Sequence, residues 1–288
     1  MKNDLHIRTN FSASADSNLD YVSVLKMCEQ AKLNRISITD FDTCIFHAIN
    51  SVKDTSKLFS GEIITGMECD VCEEGITFEL LAYNFEPMKT LVWSYQIYGN
   101  LEMRQTKIKK VLLEAIKKSK LSIDTSIPFN GKQDFAHKYI YENMVSQKQN
   151  QKFFKQYNIT NLTDFYNAST KDTTFPLYLD MGKIWPNTKT VVDFIHSVGG
   201  IVVLAQPLKS KNKDNIKFLL NNALKTNVDG IEVYNPNHTK DDIKYLRDFA
   251  HKHNLVITGG SNFNGKEPTN KLGIQNINDE SEILNLKK

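Results

Sequence analysis

Histidine, aspartate and glutamate recur along this 288-residue chain at the ends of short apolar runs. Early in the chain these are His6-Ile7-Arg8, Asp40-Phe41-Asp42 and Glu68. Later come Gln206-Pro207, Tyr234-Asn235-Pro236 and Ser261-Asn262-Phe263-Asn264-Gly265. Imidazoles and carboxylates chelate Mn, Zn or Fe, and ions held side by side need several anionic ligands to offset their repulsion. The amides at 206, 262 and 264 offer only neutral carbonyl oxygens, and Arg8 adds a permanent cation. There is no P-loop, GxGxxG or GxSxG, and Gly259-Gly260 is too short for a nucleotide-binding loop. Cys69-Asp70-Val71-Cys72 has a metal-knuckle spacing, yet on a strand residues three apart face opposite sides. A zinc site would also need two more ligands nearby, so buried thiols are expected.

The elements that must position these residues alternate. Leu5 to Thr9 is a strand, Leu19 to Leu33 has helical apolar spacing, and Arg35 to Thr39 is a strand ending at Asp40. A helix from Thr43 to about Lys57 leads to strands Glu62 to Val71 and Ile76 to Phe85. Residues 87–186, rich in Lys, Gln and Asn, read as an inserted helical subdomain with helices at Leu101 to Lys118 and Phe135 to Gln147. The alternation then resumes: helix Thr188 to Val198, strand Ile201 to Ala205, helix Asp214 to Leu224, strand Gly230 to Tyr234, helix Thr239 to His253, strand Leu255 to Gly259. Thr239 with Asp242 three residues on is a capping-box variant. Such alternation predicts a largely parallel sheet with its chemistry at the C-terminal strand ends. The reading is therefore an α/β body of residues 1–86 and 187–288 with the insert between.

The net charge of +3 is near neutral for this length, which argues against indiscriminate nucleic-acid binding. Met1 to Asn10 lacks the apolar run of a signal peptide, and runs such as Ile201 to Ala205 are too short to span a bilayer. A cytoplasmic protein with reduced Cys28, Cys44, Cys69 and Cys72 is expected, with no membrane partner.

Seven segments, in order, resemble the PHP family (polymerase and histidinol phosphatase), in its metal-dependent phosphoesterase branch with a helical insertion. Asp4 to Thr9 resembles DLHxHT and Ile38 to Thr43 resembles ITDHDT. Gly66-Met67-Glu68 falls on G-x-E, and Gly131 to Ala136 is similar to GRPHIA. Gly199 to Pro207 resembles GGxxVLAHP, Gly230 to Tyr234 resembles GIEVY, and Gly259 to Gly265 resembles GGSDFHG. The resemblance implies a distorted TIM-like (β/α)7 barrel holding two or three divalent ions, and phosphomonoesterase or exonuclease activity.

Carried over position by position, the family's ligand set is depleted. His6 and Glu68 are kept, with Asp40 and Asp134 as further oxygen donors for one weakly held Mn, Zn or Fe ion. Arg8, Phe41 and Gln206 replace histidines, Ala13 replaces an aspartate, and Asn262 and Asn264 replace Asp and His. A histidine near Glu79 is also missing. The expectation is a degenerate PHP protein with no resident cofactor. Its old active site would contact a phosphorylated small molecule, a nucleotide or a nucleic-acid end through Arg8, Gln206, His238, Asn262 and Asn264. A protein partner is a further option, and an active hydrolase with one divalent ion is the alternative. Arg8 could offer its fork to a phosphate, or only neutralise leftover carboxylates. His238 could be an exposed cap residue or a pocket residue, since some relatives keep a histidine there. His47, His137 and His196 read as surface or half-buried. Lys107, Lys109, Lys110, Lys117, Lys118 and Lys120, with Phe153, Phe154 and Tyr157, could grip single-stranded nucleic acid, or could be a solvated face over inward-packed aromatics.

Overall fold

The computed structural model describes residues 2–12, 17–266, 270–274 and 283. Ala13 lies outside the described residues. The chain forms two compact units, one of residues 1–73, 77–96 and 186–288, the other of residues 74–76 and 97–185.

The first unit is a mixed α/β body with two sheets. Strands β1 (Asn3–Ile7), β2 (Arg35–Ile38) and β3 (Glu62–Ile64) form a parallel three-stranded sheet. Strands β4 (Gly66–Glu73), β5 (Ile76–Tyr83), β6 (Ile201–Leu204), β7 (Gly230–Tyr234) and β8 (Val256–Gly259) form the second sheet in that order. Bridges from Ile7 to Phe263 and from Phe41 to Glu68 run between the segments of the two sheets.

The pairings of β1 with β2, β2 with β3, β6 with β7 and β7 with β8 are parallel, as the alternation predicts, while β5 runs antiparallel to β6. Glu74 and Gly75 join β4 to β5, and their positive φ values of 50° and 81° suit a tight primed turn that reverses the chain. The run from Glu62 to Val71, expected as one strand, is two strands in different sheets. A Cβ at Gly66 would lie 2.0 Å from Ser37 Oγ, so the chain crosses β2 there at a distance only glycine permits.

Helix α1 (Tyr21–Gln30) starts where Asp20 accepts from the Ser23 amide, and it buries Val24, Leu25 and Cys28. Helix α2 (Ile45–Asn50) is shorter than its sequence pattern suggests. Helix α3 (Pro87–Tyr98) follows β5. Strands β1, β6 and β7 are buried along their whole length, as sheets packed on both faces require. Ile7, Leu25, Ile36, Ile38, Phe46 and Phe263 meet in one cluster of this core.

The second unit is helical: α4 (Leu101–Lys118), α5 (Ala136–Val145), α6 (Gln151–Gln156) and α7 (Leu162–Lys171). Phe154, Phe165 and Phe175 are buried in its core, and Phe153 and Tyr157 pack against them. Lys107, Lys110, Lys117, Lys118 and Lys120 are exposed. The remaining helices, α8 (Thr188–Ser197), α9 (Ile216–Lys225) and α10 (Lys240–Lys252), return to the first unit. Helix α10 opens with the full Thr239–Asp242 capping box. No helix among the described residues is long and apolar enough to cross a membrane.

Candidate functional site

Strand β1 carries His6 inward, and the loop after β8 closes on it. Ser261 and Gly273 donate their amides to Asp4, and Arg8 N donates to the Phe263 carbonyl. A Cβ at Gly260 would lie 2.3 Å from His6 Cβ, so this glycine allows the loop to lie against the histidine.

His6 is fully buried between two carboxylates. Its Nδ1 is 2.9 Å from Glu232 Oε1, and its Nε2 is 3.1 Å from Glu68 Oε2. Arg8 donates from Nε at 2.8 Å and Nη2 at 2.6 Å to the same Glu68 oxygen, with its guanidinium 4.3 Å over the Phe41 ring. Burial disfavours charge on His6, but Glu232 and Glu68 outweigh it and raise the imidazole to about 9. Burial also works against the Glu68 carboxylate, yet Arg8 and His6 hold it down to about 2. We therefore assign His6 as the imidazolium, donating from both nitrogens, with Arg8 Nη2 as a neighbour 3.1 Å from Nε2. Two buried cations face two buried carboxylates.

Glu232 was not a site residue in the sequence reading. Its signal was an acid inside Gly230–Tyr234, a strand whose residues are otherwise glycine, apolar or aromatic and entirely buried. A buried carboxylate requires a partner. Besides His6, Glu232 accepts from the Gln206 amide at 2.9 Å and from Asn235 Nδ2 at 3.1 Å.

Asp40 is turned to other work. Its oxygens accept from Thr9 N at 2.5 Å, Thr9 Oγ1 at 2.7 Å and Ser12 Oγ at 3.3 Å, while burial pushes the carboxyl up to about 6. Asp134 lies in the helical unit, where its Oδ2 accepts from Asn130 N at 2.7 Å.

Gln206 has a left-handed backbone, φ 41°, and its Oε1 accepts from Asn237. Asn262 has φ 54°, and its carbonyl accepts from Asn270. Asn264 caps the Lys266 amide. His238 is buried rather than an exposed cap, because its Nδ1 hydrogen-bonds the Val233 carbonyl at 2.8 Å. His47 is buried too, with Nε2 2.6 Å from the Ile38 carbonyl. His196 remains partly exposed and pairs with Asp229. Cys69 and Cys72 are both buried.

A multinuclear metal centre does not fit this donor set. Both nitrogens of His6 face carboxylates on opposite edges of the ring, Arg8 covers one Glu68 oxygen, and Asp40 is engaged by Thr9. Among the described residues no three His, Cys, Asp or Glu side chains gather as a metal site.

No protein-family model matches the chain. It is 23% identical over 272 residues to a 5′-3′ exoribonuclease of Haemophilus influenzae, covering 91% of this chain and 89% of that protein. It is 22% identical over 275 residues to a phosphoribosyl 1,2-cyclic phosphate 1,2-diphosphodiesterase of Eggerthella lenta, covering 92% and 95%. A crystal structure assigned as a metal-dependent phosphoesterase from Bifidobacterium adolescentis superposes with a TM-score of 0.57 at 20% identity, over 97% of this chain and 93% of the other. An amidohydrolase from Chromobacterium violaceum, with bound sulfate and no metal, gives a TM-score of 0.60 at 17% identity over 92% and 88%. The chain thus resembles the PHP-like metal-dependent phosphoesterases in its motifs and its fold, and departs from them at the residues that would hold the metal.

Proposed function

We propose that this chain is a degenerate PHP-like protein that binds a phosphorylated, hydroxyl-bearing ligand at the strand ends, a nucleotide or nucleic-acid end, without a multinuclear metal centre. The observation that carries this reading is the buried quartet of Arg8, Glu68, His6 and Glu232. A permanent cation, Arg8, and the His6 imidazolium take up the carboxylate charge that a metal cluster would need. Four buried polar atoms on residues at or just after strand ends have no partner within the protein: Glu68 Oε1, Gln206 Nε2, His238 Nε2 and Asn262 Oδ1. Buried polar atoms are paired in stable proteins, by water or by a ligand. Acceptors at Glu68 and Asn262 suit hydroxyls such as those of ribose, and Gln206 Nε2 suits an oxygen. Arg8 is 3% exposed and gives both of these donors to Glu68, so its contribution is positive field rather than a direct fork. The exoribonuclease relative and the sulfate-bound, metal-free structure support a phosphate-like occupant. A PHP-type barrel closed through the Ile7–Phe263 and Phe41–Glu68 bridges, in a cytoplasmic protein with four buried cysteines, belongs to the same reading.

Calorimetric titration with AMP and a 5′-phosphorylated oligonucleotide tests it, alongside elemental analysis. Saturable binding weakened by Gln206→Ala, with little bound metal, is the expected result. Near-stoichiometric Mn, Zn or Fe together with phosphate-ester hydrolysis would overturn it. That outcome would establish the second reading, an active hydrolase with one divalent ion, which the buried Glu68 Oε1, without a hydrogen-bond partner within the protein, favours.

A further inference from the structure

The helical unit contains a cavity of about 550 Å³, walled by α4, α5, α7 and the segment leading to Trp185. That size falls within the range of small-molecule sites, which are apolar with a few placed polar groups. Its apolar floor includes Ile108, Leu179 and Met181. Two cations, Arg104 and Lys138, line it, and no aspartate or glutamate does.

Three aromatic side chains, Phe135, Tyr166 and Trp185, belong to the rest of the wall. Phe135 is 59% exposed and Tyr166 50% exposed, an unfavourable arrangement for large apolar groups unless something covers them. Arg104 is buried, with its guanidinium 4.6 Å over the Trp185 ring, which holds the charge flat at the wall. His137 stands edge-on to Tyr166 at 4.9 Å, and its buried Nε2 has no partner within the protein. Of the two readings of this unit, the packing of Phe153, Phe154 and Tyr157 agrees with a solvated lysine face over inward-packed aromatics. Phe135 and Tyr166 line the cavity instead.

We propose that this cavity binds an organic anion with a flat aromatic body, its ring against Phe135 and Tyr166 and its charged group toward Arg104 and Lys138. His137 Nε2 then meets a polar edge of the ligand. Burial keeps this imidazole neutral at pH 7 by lowering it to about 4, so it can accept as well as donate. The site lies wholly within the helical unit and does not depend on the strand-end residues.

Calorimetry on the full chain tests the assignment, with AMP and 2-naphthoate as phosphate and carboxylate forms of the ligand and adenosine as the uncharged counterpart. Saturable binding of either anion is expected, with adenosine at least about tenfold weaker. Phe135→Ala and Lys138→Glu alter exposed side chains, so an unchanged melting temperature certifies the fold, and each should weaken binding about tenfold. AMP is read in the Gln206→Ala background, where the strand-end contribution is weakened, and the binding that remains there should weaken about tenfold with Lys138→Glu. Binding of 2-naphthoate alone, or of AMP alone in that background, identifies the charged group and sustains the proposal. It is overturned if neither anion binds at millimolar concentration, if adenosine binds equally well, or if Lys138→Glu has no effect.

Discussion

Arg8 Nη2 lies 2.6 Å from Glu68 Oε2, fully within the protein, at a place where the resembled family needs a metal ligand instead of a cation. The contact is shielded by Phe41, whose ring supports the guanidinium from 4.3 Å. Both substitutions act on one site: the arginine neutralises the glutamate, and the phenylalanine holds the arginine over it.

Arg8→Ala should destabilise the protein by about 3–5 kcal/mol, the usual effect of removing one partner from a buried ion pair. Urea unfolding of Arg8→Ala, Glu68→Gln and the double variant measures this. The double variant should recover part of the loss, because it leaves no uncompensated charge. Additive losses would show that the two side chains act independently.

Stability should pass through a maximum near pH 6.5. His6 is raised to about 9, so the unfolded chain releases its proton first as pH rises. The stability it contributes is complete below about pH 6.5 and is lost toward pH 9, by roughly 3 kcal/mol. His47 is lowered to about 4 by burial, so the unfolded chain binds a proton first as pH falls. Its loss runs from about pH 6.5 down to pH 4, partly offset by Asp40, whose raised value of about 6 favours the folded state on acidification. Unfolding free energies between pH 5 and 9 check both limbs. Glu232→Gln should flatten the alkaline limb; an unchanged slope would contradict the role given to His6.

Gly260→Ala should cost about 1–3 kcal/mol, since a methyl group there meets the Cβ and backbone nitrogen of His6 at 2.3 and 2.5 Å. Thermal melting reads the loss. Weaker nucleotide binding in the surviving folded fraction would follow from displacement of the 261–264 loop.

Replacing Arg8, Phe41 and Gln206 with histidine, and Asn262 and Asn264 with Asp and His, should raise bound Mn or Zn well above that of the unaltered chain. Elemental analysis after dialysis gives the comparison. Arg8→His should be indispensable within the set, because a fixed cation repels a divalent ion by several kcal/mol at short range even at an effective dielectric of ~20. If the other replacements load metal equally well with Arg8 in place, the argument from charge fails.

The elements that position the site were legible in local pattern. Val24, Leu25 and Cys28 recur at helical spacing, and Ile201 to Leu204 is a strand-length apolar run. The seven motifs arrange His6, Glu68 and Gln206 in order, and the resemblance they carry implies that most of the family's metal ligands are replaced. Spacing along the chain could not reveal the direction in which β5 pairs with β6, because alternation reports burial and not strand polarity. Nor could it show that Glu232, 226 residues from His6, completes the quartet, since a buried carboxylate is defined by what folds over it. Asp40 illustrates the same limit: its type suits a metal, but its oxygens are taken by Thr9, a neighbour supplied only by the pairing of β1 with β2. Which charges exist was determined by the sequence; which charges face one another at the strand ends was decided by the tertiary structure, because burial leaves each charge only the partners that fold against it.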